Sequence, residues 1–267
     1  MEENVPKLGL AMGSGGARGL AHIGVLQVLE EEKINVDYIS GSSMGALIGG
    51  LYACGVPLKY MVGIAEEIDW EHLSDFTFPR QGLLKGKKVL SFLEIMTKNK
   101  KFKDSKVPFA AVACNIENGE HVILKKGSLA EAIRASTAIP GVFVPYVLDG
   151  QKLVDGGIVD PVPVSTCYNL GADIVIGVDV GIKSLESKAN NIFDVLLNTF
   201  DIMQLKFTLS HDWQVDLMLK PELENVSAFD LKKAEFCIDA GREAALNSLD
   251  KIKKILKEDN YAQQEFK

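Results

Sequence analysis

Histidine and cysteine are both scarce, four of each in 267 residues, and neither is grouped. Cys54, Cys114, Cys167 and Cys237 are dispersed with no C-x-x-C pair, which removes the usual zinc and dithiol motifs. They read as reduced, buried thiols of a cytosolic protein. Basic charge is in deficit: 29 Lys and Arg stand against 36 Asp and Glu, a net charge of −7, where a nucleic-acid binder would carry a basic footprint. No apolar run is long enough to cross a bilayer. The longest, Gly45 to Leu58, is broken by Gly49, Gly50, Gly55 and Pro57. The start, Met1-Glu2-Glu3-Asn4, has neither the basic opening nor the apolar run of a signal peptide, so a cytoplasmic location is expected, with any membrane contact peripheral. Repeats, low-complexity tracts and linkers are lacking too. One domain over 1–267 is expected, with a motif-bearing core at about 7–180 and a helical part at about 185–260.

Glycine is in excess, 24 residues, and the excess collects in three places. Leu8–Met12 reads as a buried strand, followed by the run Gly13-Ser14-Gly15-Gly16-Ala17-Arg18-Gly19 and an amphipathic helix from Leu20. Val36–Ile39 reads as a second strand. It leads into Ser40-Gly41-Ser42-Ser43-Met44-Gly45 and a helix of small residues up to Cys54. Strand, glycine loop, helix, strand, glycine turn, helix is the alternation of a mostly parallel α/β sheet. Further on, Leu58–Leu73 reads as a helix, Phe109–Cys114 and His121–Leu124 as strands, and Asp149-Gly150 as a hairpin turn. Ile174–Val180 is a buried strand, and Ile192–Leu209 and Leu231–Leu256 are helices.

Gly41-Ser42-Ser43-Met44-Gly45 fits G-x-S-x-G, which holds a serine hydroxyl proud of a sheet on a tight strand-to-helix turn. The plain alternative is a turn packed by small residues. The Gly13–Gly19 run lacks the Gly-Lys-Ser/Thr of a phosphate loop, and Arg18 stands where a dinucleotide fingerprint needs its third glycine. Consecutive amides opening a helix suit an oxyanion hole instead, with a purely structural turn as the bland reading. A nucleophilic serine needs a base. Among His22, His72, His121 and His211, His22 reads as packed and His72 and His211 as surface groups, though Ser43, Asp155 and His211 formally follow the order of a triad. Asp155, ahead of Gly156-Gly157, is the better candidate for contact with the serine.

Taken in order, Gly15-Gly16-Ala17-Arg18-Gly19, Gly41-Ser42-Ser43-Met44-Gly45 and Asp155-Gly156-Gly157 resemble the three signature motifs of the patatin-like phospholipase family. The stretch from Ala135 to Pro145 resembles the family segment that precedes the aspartate. The resemblance covers about residues 7–180. It implies a three-layer α/β/α sandwich with a mostly parallel sheet. It implies Ser43 as nucleophile and Asp155 as base, with no histidine. Gly13, Gly15, Gly16 and Arg18 would form or support the oxyanion hole. The implied substrate is a phospholipid or other acyl ester, with no metal or cofactor. A carboxylesterase or thioesterase acting on small esters, and a non-catalytic adaptor keeping the fold, are the competing functions.

Residues 80–106 stand apart. They hold nine basic residues and two acidic ones, 9 − 2 = +7 in an acidic chain. Val89, Leu90, Phe92, Leu93, Ile95 and Met96 lie inside that frame. Two readings stay open: a mobile cover at the mouth of the site that meets anionic lipid, and a core helix with a solvated basic flank.

Overall fold

The computed structural model describes residues 6–78, 81–182, 190, 192–224 and 226–265. Arg80 and the segment 183–189, both within the stretches discussed above, lie outside them. In chain order the elements are β1 (Leu8–Met12), α1 (Ala21–Glu31), β2 (Tyr38–Ser42), α2 (Met44–Ala53), α3 (Leu58–Glu67), α4 (Trp70–Leu73), β3 (Gly82–Leu84), α5 (Lys87–Thr97), β4 (Phe109–Asn115), β5 (His121–Leu124) and α6 (Leu129–Ser136). Then follow β6 (Gly141–Phe143), β7 (Tyr146–Leu148), β8 (Gln151–Asp155), α7 (Val164–Leu170), β9 (Ile174–Val178), α8 (Ile192–Ser210), β10 (Leu217–Leu219), α9 (Ala234–Asn247) and α10 (Leu249–Glu265).

The main sheet runs β10-β9-β1-β2-β4-β8-β7, with β5 on the far edge of β4. Its centre, β10 through β4, is parallel, and the β8–β7 hairpin and β5 are antiparallel. Helices cover both faces, as the α/β/α expectation requires. Strand β1 shows why: alternate side chains point to opposite faces. Leu8, Leu10 and Met12 enter the larger core with α1, α2, α3, α5, α6 and α9. Ala11 faces a smaller core of Val162, Val164, Cys167, Ala172 and Val175 around α7.

Several boundaries differ from the sequence reading, each for a local reason. Strand β2 runs on through Ser40-Gly41-Ser42 because Met12 and Val112 pair with it on its two sides, and the Ser40 hydroxyl finds the Pro163 carbonyl at 2.7 Å. The helix expected over 58–73 breaks, because the Asp69 carboxylate caps the next turn by accepting from the amides of Glu71 and His72 (2.9 and 3.2 Å). The helix expected over 231–256 becomes a 3-10 turn, α9 and α10, parted at Ser248. Asp149 and Gly150 both take positive φ, +50° and +79°, as the Asp-Gly hairpin signal demands.

The basic segment is anchored. Arg134, fully buried on α6, donates to the carbonyls of Lys85, Gly86 and Val144 and lies over the Phe143 ring. Val89 and Leu93 of α5 are core residues, while Ile95 is 75% exposed. Lys85, Lys87, Lys88, Lys98, Lys101 and Lys103 are exposed. The apolar face of α5 therefore already has a partner inside the protein, and its lysines face solvent.

Candidate active site

The registers around β4 show how the site is built. Ala111 pairs with Gly41 of β2 on one edge and with Leu124 of β5 on the other. Two residues on, Ala113 pairs with Val122 of β5 and with Asp155 of β8. Strands β2 and β8 thus share one edge of β4 and meet end to end, each at its C-terminus. Ser43 leaves one end and Asp155 closes the other, so residues 112 apart in sequence face each other across a break in the sheet. Ligand sites of open α/β sheets lie at such carboxyl ends of strands.

Ser43 has φ +54° and ψ −121°, a conformation sparsely populated by residues with a Cβ that costs about 1–3 kcal/mol. The turn is possible because its flanking glycines touch backbone. A Cβ on Gly41 would meet the Gly45 carbonyl and Ala46, and one on Gly45 would overlap the Met12 carbonyl. The Ser43 hydroxyl donates to Asp155 Oδ2 at 2.6 Å, and the Gly157 amide donates to Asp155 Oδ1 at 2.8 Å. Both side chains are buried, Ser43 at 4% exposure and Asp155 at 0%. Burial pushes the Asp155 carboxyl up to about 7, against the hydrogen bonds from Ser43 and Gly157 that favour its charged form.

The segment before the aspartate braces both members. Ser136 accepts from the Ser43 amide at 3.0 Å and donates to the Val112 carbonyl, and the Asp155 amide donates to the Ala138 carbonyl at 3.0 Å. In the sequence this stretch is marked only by its resemblance to the family segment. Nothing in its composition says which of its groups would hold the pair.

The glycine loop divides into used and open amides. Gly13 donates to the Val178 carbonyl, Ser14 to Pro161 and Ala17 to Ala228. Among the described residues the amides of Gly15 and Gly16 have no partner, so they are the donors the loop leaves open. Gly13 therefore supports the loop. Arg18 does likewise: it is 2% exposed, pairs with Asp201 at 2.8 Å and donates to the Val226 carbonyl. The histidines are elsewhere. His22 is buried and donates from Nε2 to the Gly13 carbonyl at 2.8 Å, and burial brings its pKa down to about 4, so it braces the loop as a neutral ring. His72 pairs with Asp69, His121 lies 3.5 Å from Asp160, and His211 stacks on Phe207 at the surface. Among the described residues no histidine is bonded to Ser43 or Asp155.

An apolar cavity of about 120 Å³ opens from Ser43. Met44, Leu47, Ile48 and Leu51 on one face of α2 run along it, with Ile23, Met61, Phe92 and Phe229 among the opposing walls. From Ser43 to Leu51 the helix rises about 12 Å.

The fold is that of an α/β/α protein that carries a strained serine on a tight strand-to-helix turn. More narrowly, the chain belongs to the patatin-like phospholipase family, whose model matches residues 10–168. An uncharacterized NTE family protein of Mycobacterium tuberculosis is 39% identical over 66% of this chain and 49% of its own length. The chain thus spans about half the length of that relative. Lysophospholipase NTE1 of Kluyveromyces lactis is 30% identical over 92% of this chain and 16% of its own. The crystal structure of VipD from Legionella pneumophila shares the fold, with a TM-score of 0.63 at 16% identity, over 92% of this chain and 67% of that one.

Proposed function

We propose that this protein is a serine lipid acyl hydrolase that cleaves the carboxylic ester of monoacyl phospholipids through a Ser43–Asp155 dyad. The observation that carries the reading is the 2.6 Å contact between the Ser43 hydroxyl and a buried carboxylate at the head of an apolar cavity. In this reading Ser43 Oγ attacks the ester carbonyl as its proton passes to Asp155 Oδ2. The open amides of Gly15 and Gly16 hold the developing oxyanion. The deacylated glycerophospho alcohol takes the proton and leaves, giving an acyl-enzyme. Water, deprotonated by Asp155, then releases the fatty acid and restores Ser43. A base with a pKa near the operating pH suits that exchange, and burial supplies it.

The cavity beside Ser43 is lined almost wholly by apolar side chains, Met44, Leu47, Ile48, Leu51, Ile23 and Phe92 among them, which suits a fatty acyl chain. The family relationship and the lysophospholipase among the relatives agree with this. Assay of wild type beside Ser43→Ala on a monoacyl phospholipid, a diacyl phospholipid and a short soluble ester is expected to rank the monoacyl substrate first. A preference for the short soluble ester would favour a carboxylesterase or thioesterase. Failure to label with a fluorophosphonate would favour the adaptor reading.

Peripheral contact with the lipid surface we assign to residues 80–106, through charge. No helix among the described residues is long and apolar enough to cross a membrane. Because Val89 and Leu93 are buried, the contact falls to the exposed lysines, at up to about 1 kcal/mol each near an anionic surface, with Ile95 beside them. Co-sedimentation with vesicles is expected to rise with anionic lipid and fall with salt. Changing Lys85, Lys87, Lys88 and Lys101 to Gln is expected to remove that dependence. Equal binding to neutral and anionic vesicles would take the segment out of the account and leave the dyad untouched.

A further inference from the structure

The last glycine motif ends at Gly157 and the family match ends at residue 168, yet the site is also held from beyond both. Helix α8 turns Asp201 and Gln204, three residues apart and so on one helical face, toward it. Gln204 is 5% exposed. Its Nε2 donates to Ser14 Oγ at 2.8 Å and to the Gly157 carbonyl at 3.2 Å. Ser14 lies between Gly13 and the open amide of Gly15. Gly157 is the residue whose own amide holds Asp155. One side-chain nitrogen therefore joins the glycine loop to the turn that carries the aspartate. Three residues earlier, Asp201 ties the same loop through Arg18.

We propose that Gln204 is a positioning residue that sets the spacing between the Gly15 and Gly16 amides and the Ser43–Asp155 pair, with the Asp201–Arg18 ion pair as a second tie. The proposal rests on the dyad reading above. The chemistry explains the residue type. The Gly157 carbonyl can only accept, and Ser14 accepts here as well, so the bridge needs two donors on one atom, which a primary amide has. A glutamate of the same shape has none. Both partners belong to the motifs, whereas Gln204 sits on a helix with no motif, 190 residues from Ser14.

The test compares Gln204→Glu, Gln204→Leu and Asp201→Asn with wild type on a monoacyl phospholipid. Turnover is expressed per site titrated with a fluorophosphonate, which corrects for any loss of folded protein. Gln204→Glu and Gln204→Leu are each expected to lower kcat per titrated site about 10- to 100-fold, the scale of an ångström-sized misplacement, with KM changed little. Asp201→Asn is expected to fall in the same direction by less, since a neutral amide still reaches Arg18. A merely structural role for Gln204 would reduce the melting temperature and the number of titratable sites and leave kcat per site unmoved. That result, in a wild type that hydrolyses the substrate while Ser43→Ala does not, overturns the positioning role alone. A wild type that neither hydrolyses nor labels overturns the dyad reading and this inference together.

Discussion

Ser43→Ala is expected to lower ester hydrolysis by about 10⁴- to 10⁶-fold, the scale seen when a nucleophile is removed from a serine hydrolase. Asp155→Asn is expected to lose about 10²- to 10⁴-fold, the contribution of general-base help. The two differ because the serine forms the bond that defines the acyl-enzyme, whereas the aspartate only takes and returns a proton. Asparagine is close to isosteric here. Its carbonyl oxygen still accepts from the Gly157 amide and its NH₂ still faces the Ser43 oxygen, so any loss reports the missing base. Circular dichroism of each variant checks the fold. His211→Ala is the contrasting control, since His211 stacks on Phe207 at the surface and is expected to keep full activity. Loss of activity in His211→Ala, with retention in Asp155→Asn, would replace the dyad with a triad.

The second large effect is on stability, and its sign follows from burial. The Asp155 carboxyl sits at about 7 in the folded protein, raised from 3.8, mainly by desolvation. The folded state therefore holds a proton that the unfolded chain has released between about pH 4 and pH 7. Stability falls as pH rises through that window and levels off above it. The difference of about 3 units corresponds to on the order of 4 kcal/mol above pH 7. Asp155→Asn has no charge to desolvate. It is expected to melt at the same temperature as wild type near pH 4, and higher at pH 8 by on the order of 10 °C. The catalytic consequence runs the other way: kcat/KM of wild type is expected to drop tenfold per pH unit below about 7, where Asp155 is protonated. Equal melting temperatures for the two proteins at pH 8 would mean that Asp155 carries no such burden, and the acid limb of the rate profile should then lie near the ordinary carboxylate range.

Much of this site was legible in the sequence because short-range chemistry marks it. Gly41 and Gly45 flag a turn that only residues lacking a Cβ can make, Asp149-Gly150 flags a hairpin, and the uninterrupted apolar run Leu8–Met12 flags a strand buried on both faces. Ser43 and Asp155 stand out because a serine framed by glycines after a strand, and an aspartate ahead of two glycines after a hairpin, mark tight turns at strand ends. Gln204 carries no such mark, since a glutamine on a helix is ordinary until its partners are known. Arg18 was legible as a member of the loop but not in its direction, because its partners, Asp201 and Val226, are 183 and 208 residues away. The basic run 80–106 showed its charge but not its apolar partners. Those are set by Arg134 holding Lys85 and Gly86 in place and by the core that receives Leu93.

By itself, then, the sequence determined the alternation of strands and helices, the tight turns and the residue types able to do acyl chemistry, since all of these depend on local sterics and on periodicities of two and 3.6. The tertiary structure decided what depends on distance. It brought β2 and β8 end to end on one edge of β4, gave Asp155 its high pKa by excluding water from it, and left only the Gly15 and Gly16 amides of the loop open. It also placed Gln204 between the two loops. Pairing register, burial and bond direction arise from contacts between residues far apart along the chain, and no local pattern encodes them.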